Sequence, residues 1–172
     1  ARMLRELEDK EMALNDRSRR VAELEEMLRS REEAIDAIRR KVADALTGFE
    51  GNGLSISIQN GNVYVSMEDK LLFRSGSFAI DPKGAQAVRD LSAVLAQNPD
   101  INVMVEGHTD DVPYRPNGQR RDNLDLSAKR ATTVVRLLLE NKAIEPSRII
   151  AAGRGESLPV ATGKTAEDRA KN

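Results

Sequence analysis

A glycine, the only histidine of the chain, a threonine and two adjacent aspartates stand in a row at Gly107-His108-Thr109-Asp110-Asp111, directly after the apolar stretch that starts at Ile101. A dozen residues further on, Asn123, Asp125, Ser127, Lys129 and Arg130 are crowded into two helical turns. Several chemistries are open to such a set. His108 and Asp110 could form a metal pair or a general base, and Ser127 could be a nucleophile. Asp110 could hold an ammonium while Arg130 takes a carboxylate through two parallel N–H···O bonds. The plain alternative is a turn, where aspartate is common, facing an ordinary exposed helix arginine. Catalytic zinc usually takes three protein ligands, and the chain has no second histidine and no cysteine. Ser127 lacks the Gly-x-Ser-x-Gly setting of an exposed nucleophile. "GRGES" at 153–157 lacks the lysine of a phosphate loop and the spacing of a dinucleotide fingerprint, and reads as a turn. No catalytic residue, metal or cofactor is therefore expected, and His108 is expected to pack beside a binding pocket.

Such a pocket needs a strand end next to a helix start. Residues 101–107 are a near-continuous apolar run of strand length, expected to be buried. A helix is expected over 123–141, with Leu126, Ala131, Val134, Val135, Leu138 and Leu139 inward; its N-terminus favours an anion. Asp81-Pro82 is a helix start, followed by the apolar positions Ala85, Val88, Leu91, Val94 and Leu95 and stopped by Asn98-Pro99. Residues 147–155 read as another strand. Alternating segments at 54–58 and 63–67 flank Asn60-Gly61, the strongest short hairpin signal. Strands interleaved with helices give a mixed α/β sandwich, helices against a sheet. The segment with Arg115, Arg120 and Arg121 reads as a solvated loop.

The segment 1–48 follows a different pattern. It contains no proline, and its first glycine is Gly48. Leu7, Leu14, Val21, Leu28, Ile35, Val42 and Phe49 recur at heptad spacing, as one seam of a coiled coil does. The matching second positions are Lys10, Arg17, Leu24, Arg31, Ile38 and Ala45, half of them basic, so the seam is good on one side only. The alternatives are a weak homo-oligomer and a single solvated helix held by pairs such as Glu6–Lys10. At about 1.5 Å per residue the helix would reach on the order of 70 Å.

Composition narrows the partners. Lys plus Arg is 27 and Asp plus Glu is 28, a net charge of -1. That balance exerts no global pull on nucleic acid or an anionic membrane. Aromatics at 3% argue against base-stacking platforms. No signal-peptide or membrane-span pattern is present. The chain opens on Ala1 rather than Met, which reads as a piece of a longer protein with any signal or anchor before Ala1.

"GHTDD", "NLDLSAKRA", "GRGESLPV" and "LLFRSGSFAIDPKG" together resemble the OmpA-like peptidoglycan-binding domain, over about residues 70–172. A Gly-x-Thr/Ala-Asp segment closes a central strand in that family. An Asn-x-x-Leu-Ser-x-x-Arg-Ala segment, here Asn123, Leu126, Ser127, Arg130 and Ala131, opens the next helix. The form of the loop is closest to the flagellar-stator branch and to anchored periplasmic relatives. The resemblance implies an α+β fold, a two-layer helix/sheet sandwich with a mixed sheet. It divides the chain into a coiled-coil stalk (1–48), a linker with hairpin (49–68) and the OmpA-like domain (69–172), whose usual last strand lies beyond Asn172. It implies a non-catalytic periplasmic anchor that grips the diaminopimelate of the peptidoglycan stem between Asp110 and Arg130, with Thr109, Asp111, Asn123 and Leu126 lining the pocket. Two charge-assisted contacts partly offset by ordering correspond to an affinity on the order of micromolar to millimolar for one stem. The alternative role is an envelope scaffold or stator-like component that assembles through its helix and uses the globular part to dimerise. Attachment to the inner or outer membrane would lie before Ala1.

Overall fold

The computed structural model describes residues 2–49, 51, 53–73, 79–113, 122–159 and 161–170. In chain order these form α1 (Arg2–Leu46), β1 (Leu54–Gln59), β2 (Asn62–Met67), α2 (Asp69–Leu72), α3 (Pro82–Gln97), β3 (Val103–His108), α4 (Asn123–Leu138), a 3-10 turn (Pro146–Arg148), β4 (Ile149–Gly155) and α5 (Ala166–Ala170). No described helix is long and apolar enough to cross a membrane.

Local chemistry accounts for the boundaries. Asn60 and Gly61 take φ of 51° and 73°. A two-residue hairpin turn requires such a pair of positive angles, and it brings Gln59 opposite Asn62. Asp81 caps α3, its carboxylate accepting the N–H of Lys83 while Pro82 fills the first turn. Asp122 does the same for α4 by accepting from Asp125 N.

The strands form one antiparallel pair, β1–β2, and one parallel pair, β3–β4, in register from Val103↔Ile149 to Gly107↔Gly153. Together with the helices this is the mixed helix/sheet architecture expected for the OmpA-like fold. The expectation of a fully buried β3 needs correction. Met104 and its β4 neighbour Ile150 are both 56% exposed, because the described helices pack on one face of the parallel pair only. The segment beginning "LLF" also differs from a simple first strand. Leu71 and Leu72 close α2, and only Phe73 pairs, as an isolated antiparallel bridge to Ile80; residues 74–78 lie outside the described set.

Two apolar clusters meet at α3. Val88 and Leu95 pack with Leu137, Leu138 and Ile144. Ala87 and Val94 pack with Leu71 of α2, Leu54 of β1, and Val42 and Leu46 at the end of α1. Leu46 is wholly buried although it belongs to neither heptad seam position. The seam therefore changes partner along the helix. Leu7, Leu14, Val21 and Leu28 are exposed, whereas from Ile38 onward the stripe enters the globular core.

Arg148 fastens the far end of α3. Its Nε donates to Ile101 O at 2.9 Å, and its Nη2 reaches Asn98 O at 2.8 Å, Ile101 O at 2.7 Å and Leu95 O at 3.3 Å. A cation on the last carbonyls of a helix satisfies both orphan acceptors and the macrodipole. Arg148→Met keeps the aliphatic stem and is expected to lower unfolding free energy by about 2–4 kcal/mol, as partly buried charge-assisted bonds are lost. A urea midpoint equal to that of the parent chain would show that water replaces the guanidinium at no cost.

Candidate functional site

The platform of the site is a close approach of backbone to backbone. A Cβ on Gly107 would lie 2.1 Å from the carbonyl oxygen of Ser127, and one on Gly153 would lie 2.7 Å from Ala128 N. Only residues without a side chain let α4 settle this deeply onto β3 and β4. Ser127 then locks the contact. It is fully buried, its Oγ donates to Leu124 O at 2.8 Å and accepts from Gly155 N at 2.9 Å. Thr109 N donates to Gly155 O at 3.0 Å. The serine is a bolt between helix and strand, with no opening to a substrate.

The loop leaving β3 is pinned to the same helix. Asn123, 7% exposed, donates through Nδ2 to Asp110 O at 3.3 Å and to Val112 O at 3.1 Å. The Asp110 carboxylate accepts from Val112 N at 3.2 Å, which fixes it in a local turn. Arg130 lies two turns beyond Asn123 on the same helical face, about 10 Å along the axis. Its side chain is only 11% exposed, and the guanidinium lies 5.0 Å from the centre of the Phe73 ring and donates through Nη2 to Asp69 Oδ1 at 2.8 Å. Burial pushes the Asp69 carboxyl above its ordinary value; Arg130 pulls it down through charge and hydrogen bond, and the Asp110 charge pushes it up again. Asp69 thus feels both members of the expected pair.

The other expected pocket residues separate. Thr109 is 6% exposed. Its Oγ1 is buried with no hydrogen-bond partner among the described residues, an uncommon state that a bound polar group would relieve. Asp111 turns to the C-terminal segment, where Arg169 Nε of α5 donates to its Oδ1 at 2.9 Å. Leu126 is a buried residue, 7% exposed. His108 Nε2 lies 3.7 Å from Glu106 Oε2, and Glu106 is itself held by Arg154 at 2.7 Å. No group of three His, Cys, Asp or Glu among the described residues could hold a metal. Arg115, Arg120 and Arg121 fall outside the described residues. Asp69, Phe73 and Arg169 escaped sequence reasoning, since each reaches the site only through tertiary packing.

The comparisons with known proteins give the family and the fold. Motility protein B of Bacillus subtilis is 34% identical over 119 residues, covering 69% of this chain and 45% of that protein. The chain spans about half the length of the curated relatives it matches first. Among solved structures, a MotB-like protein from Desulfovibrio vulgaris superposes with a TM-score of 0.69 at 29% identity, covering 83% of this chain and 90% of that one. The cell wall anchor of the T6SS from Pseudomonas aeruginosa does so with a TM-score of 0.67 at 26% identity, covering 78% and 92%. Residues 72–172, more than half of the chain, match the OmpA family, and the chain belongs to it.

Proposed function

We propose that this chain is a non-catalytic anchor that holds an envelope protein to peptidoglycan. In this reading Asp110 takes the ammonium and Arg130 the carboxylate of the diaminopimelate in the peptide stem. The observation that supports it is the Arg130 guanidinium held at 2.8 Å by Asp69, a carboxylate that also feels the charge of Asp110. The buried Thr109 hydroxyl beside Asp110, unpartnered among the described residues, adds a donor and acceptor awaiting a polar group. Asn123 acts by holding the loop and Leu126 by supporting it. The similar fold of a cell wall anchor fits the same reading.

The protein would work in the periplasm, attached to the inner or outer membrane through a segment N-terminal to α1. The exposed stripe of α1 supports pairing with a second copy. That pairing would suit a scaffold or stator-like component as well as a wall anchor, and wall affinity distinguishes the two. Asp110→Ala and Arg130→Ala are each expected to lower the fraction retained on insoluble peptidoglycan by roughly tenfold or more, the loss of one charge-assisted contact. Undiminished retention of both variants would remove the wall from the reading and leave the scaffold.

A further inference from the structure

Asp110 and Asp111 are neighbours in sequence and serve different elements in space. Asp110 accepts from Val112 N within its own loop at 3.2 Å, whereas Asp111 Oδ1 accepts from Arg169 Nε of α5 at 2.9 Å. The carbonyls of the residues flanking Asp111 are held too, since Asn123 Nδ2 donates to Asp110 O and to Val112 O. The loop after β3 is thus tied inward to α4 and outward to α5.

Topology makes the outward tie possible. β3 and β4 run parallel, and Thr109 N donates to Gly155 O at 3.0 Å, so the loops that follow the two strands leave the sheet side by side. The second of these loops leads to α5. At five residues α5 is too short to persist by propensity. A reciprocal cap starts it: Thr165 Oγ1 accepts from Asp168 N at 3.1 Å, and Asp168 Oδ2 accepts from Thr165 Oγ1 at 2.6 Å and from Thr165 N at 3.3 Å. Arg169 N closes the turn on Thr165 O at 3.0 Å, and its side chain reaches the Asp110 loop. The side chains of Arg169 and Asp111 are 37% and 47% exposed. An ion pair that open adds little to global stability. What it can change is the population of one loop conformation, a local equilibrium.

We infer, building on the wall-binding reading, that α5 is a strap across the ligand loop and that Arg169 is its positioning residue: by holding Asp111 it keeps the adjoining Asp110 carboxylate where a ligand ammonium meets it. Asp111 is then a tether and makes no ligand contact of its own. Linkage makes the effect reciprocal. A ligand that favours the strapped loop strengthens the strap by the same factor by which the strap strengthens binding.

The test uses the full chain and a soluble, labelled stem peptide that contains diaminopimelate. Arg169→Gln and Asp111→Asn are each expected to weaken binding by about three- to fivefold, the upper range of what one exposed ion pair contributes, with the melting midpoint of the parent. The double variant should be no weaker than either single one, because both remove the same interaction. Arg169→Lys should recover most of the affinity. Thr165→Val, which undoes the cap and leaves both members of the pair in place, should weaken binding in the same direction. Saturating peptide should slow hydrogen exchange of the Arg169 amide by about the same three- to fivefold, a response that a purely structural helix would lack. Losses that add in the double variant would make Asp111 and Arg169 separate ligand contacts and overturn the inference. Unchanged affinity in both single variants overturns it as well and leaves wall binding intact. A parent protein that does not bind the peptide overturns the wall-binding reading and this inference with it.

Discussion

Gly107→Ala is expected to be among the most damaging single substitutions in the chain, although it adds one methyl group. The new carbon would sit 2.1 Å from Ser127 O and 2.8 Å from Ser127 C, both backbone atoms. Neither side can yield cheaply. β3 is tied to β4 in parallel register, and α4 is tied to both by Ser127 Oγ–Gly155 N and by Asn123 to the Asp110 loop. Relief requires lifting the start of α4, which would also withdraw Asn123 from the loop. Overpacking a rigid contact costs about 1–3 kcal/mol and more where backbone must move, against a total stability of about 5–15 kcal/mol. We expect the variant to melt roughly 10 °C lower or more, given about 4–8 °C per kcal/mol for a domain of this size, and to lose wall retention in proportion to its unfolded fraction. Gly48→Ala is the control: a Cβ there meets nothing within 4 Å, and its melting temperature should be unchanged. Circular dichroism melts of the two variants decide the matter, and equal midpoints would show that α4 rides on β3 more loosely than its geometry states.

The same glycine shows how far the sequence could be read. Gly107, Thr109, Asp110, Asn123, Ser127 and Arg130 stand out through the resemblance to the family, whose motifs record a strand end and a helix start that must interlock. Periodicity likewise revealed the hairpin, through Asn60-Gly61, and α3, through Asp81-Pro82 and its apolar face. What stayed hidden depends on long-range packing. Ala87 and Leu46 are buried where α1 meets α3, a contact no local pattern encodes, and Leu46 lies off the heptad seam altogether. Asp111 belongs to a carboxylate pair in sequence but to Arg169 in space. Asp69 sits in the plain stretch "MEDKLL", and its meaning comes from the guanidinium of Arg130, far along the chain. The exposed Met104 and Ile150 show the converse: an apolar run signals a strand without saying how many of its faces are covered.

Leu14→Glu combined with Val21→Glu is expected to change wall retention more than any substitution at the site, without touching the site. Leu14 is 64% exposed and Val21 53% exposed, and they sit at successive positions of the seam, well before α1 enters the globular core. On a lone helix such a stripe has no reason to exist, and a second copy would bury it. Lys10, Arg17 and Arg31 on the seam would keep such pairing weak, since basic residues at core positions lower the stability of a coil. Weak pairing would be enough, because two linked heads on a polymer of repeating stems would gain by effective concentration, on the order of a hundredfold or more in retention. Two glutamates in the seam should give a monomer by sedimentation equilibrium and a loss of that size on insoluble peptidoglycan. Affinity for a soluble stem peptide and the melting of the globular part should stay as they were, since neither residue enters a core cluster. Truncating at residue 49 could not make this distinction, because it would also remove Val42 and Leu46 from the core. If the parent chain is itself monomeric, or the variant is retained as well as the parent, α1 is a solvated spacer held by exposed pairs such as Lys10–Glu6, and each head grips the wall alone.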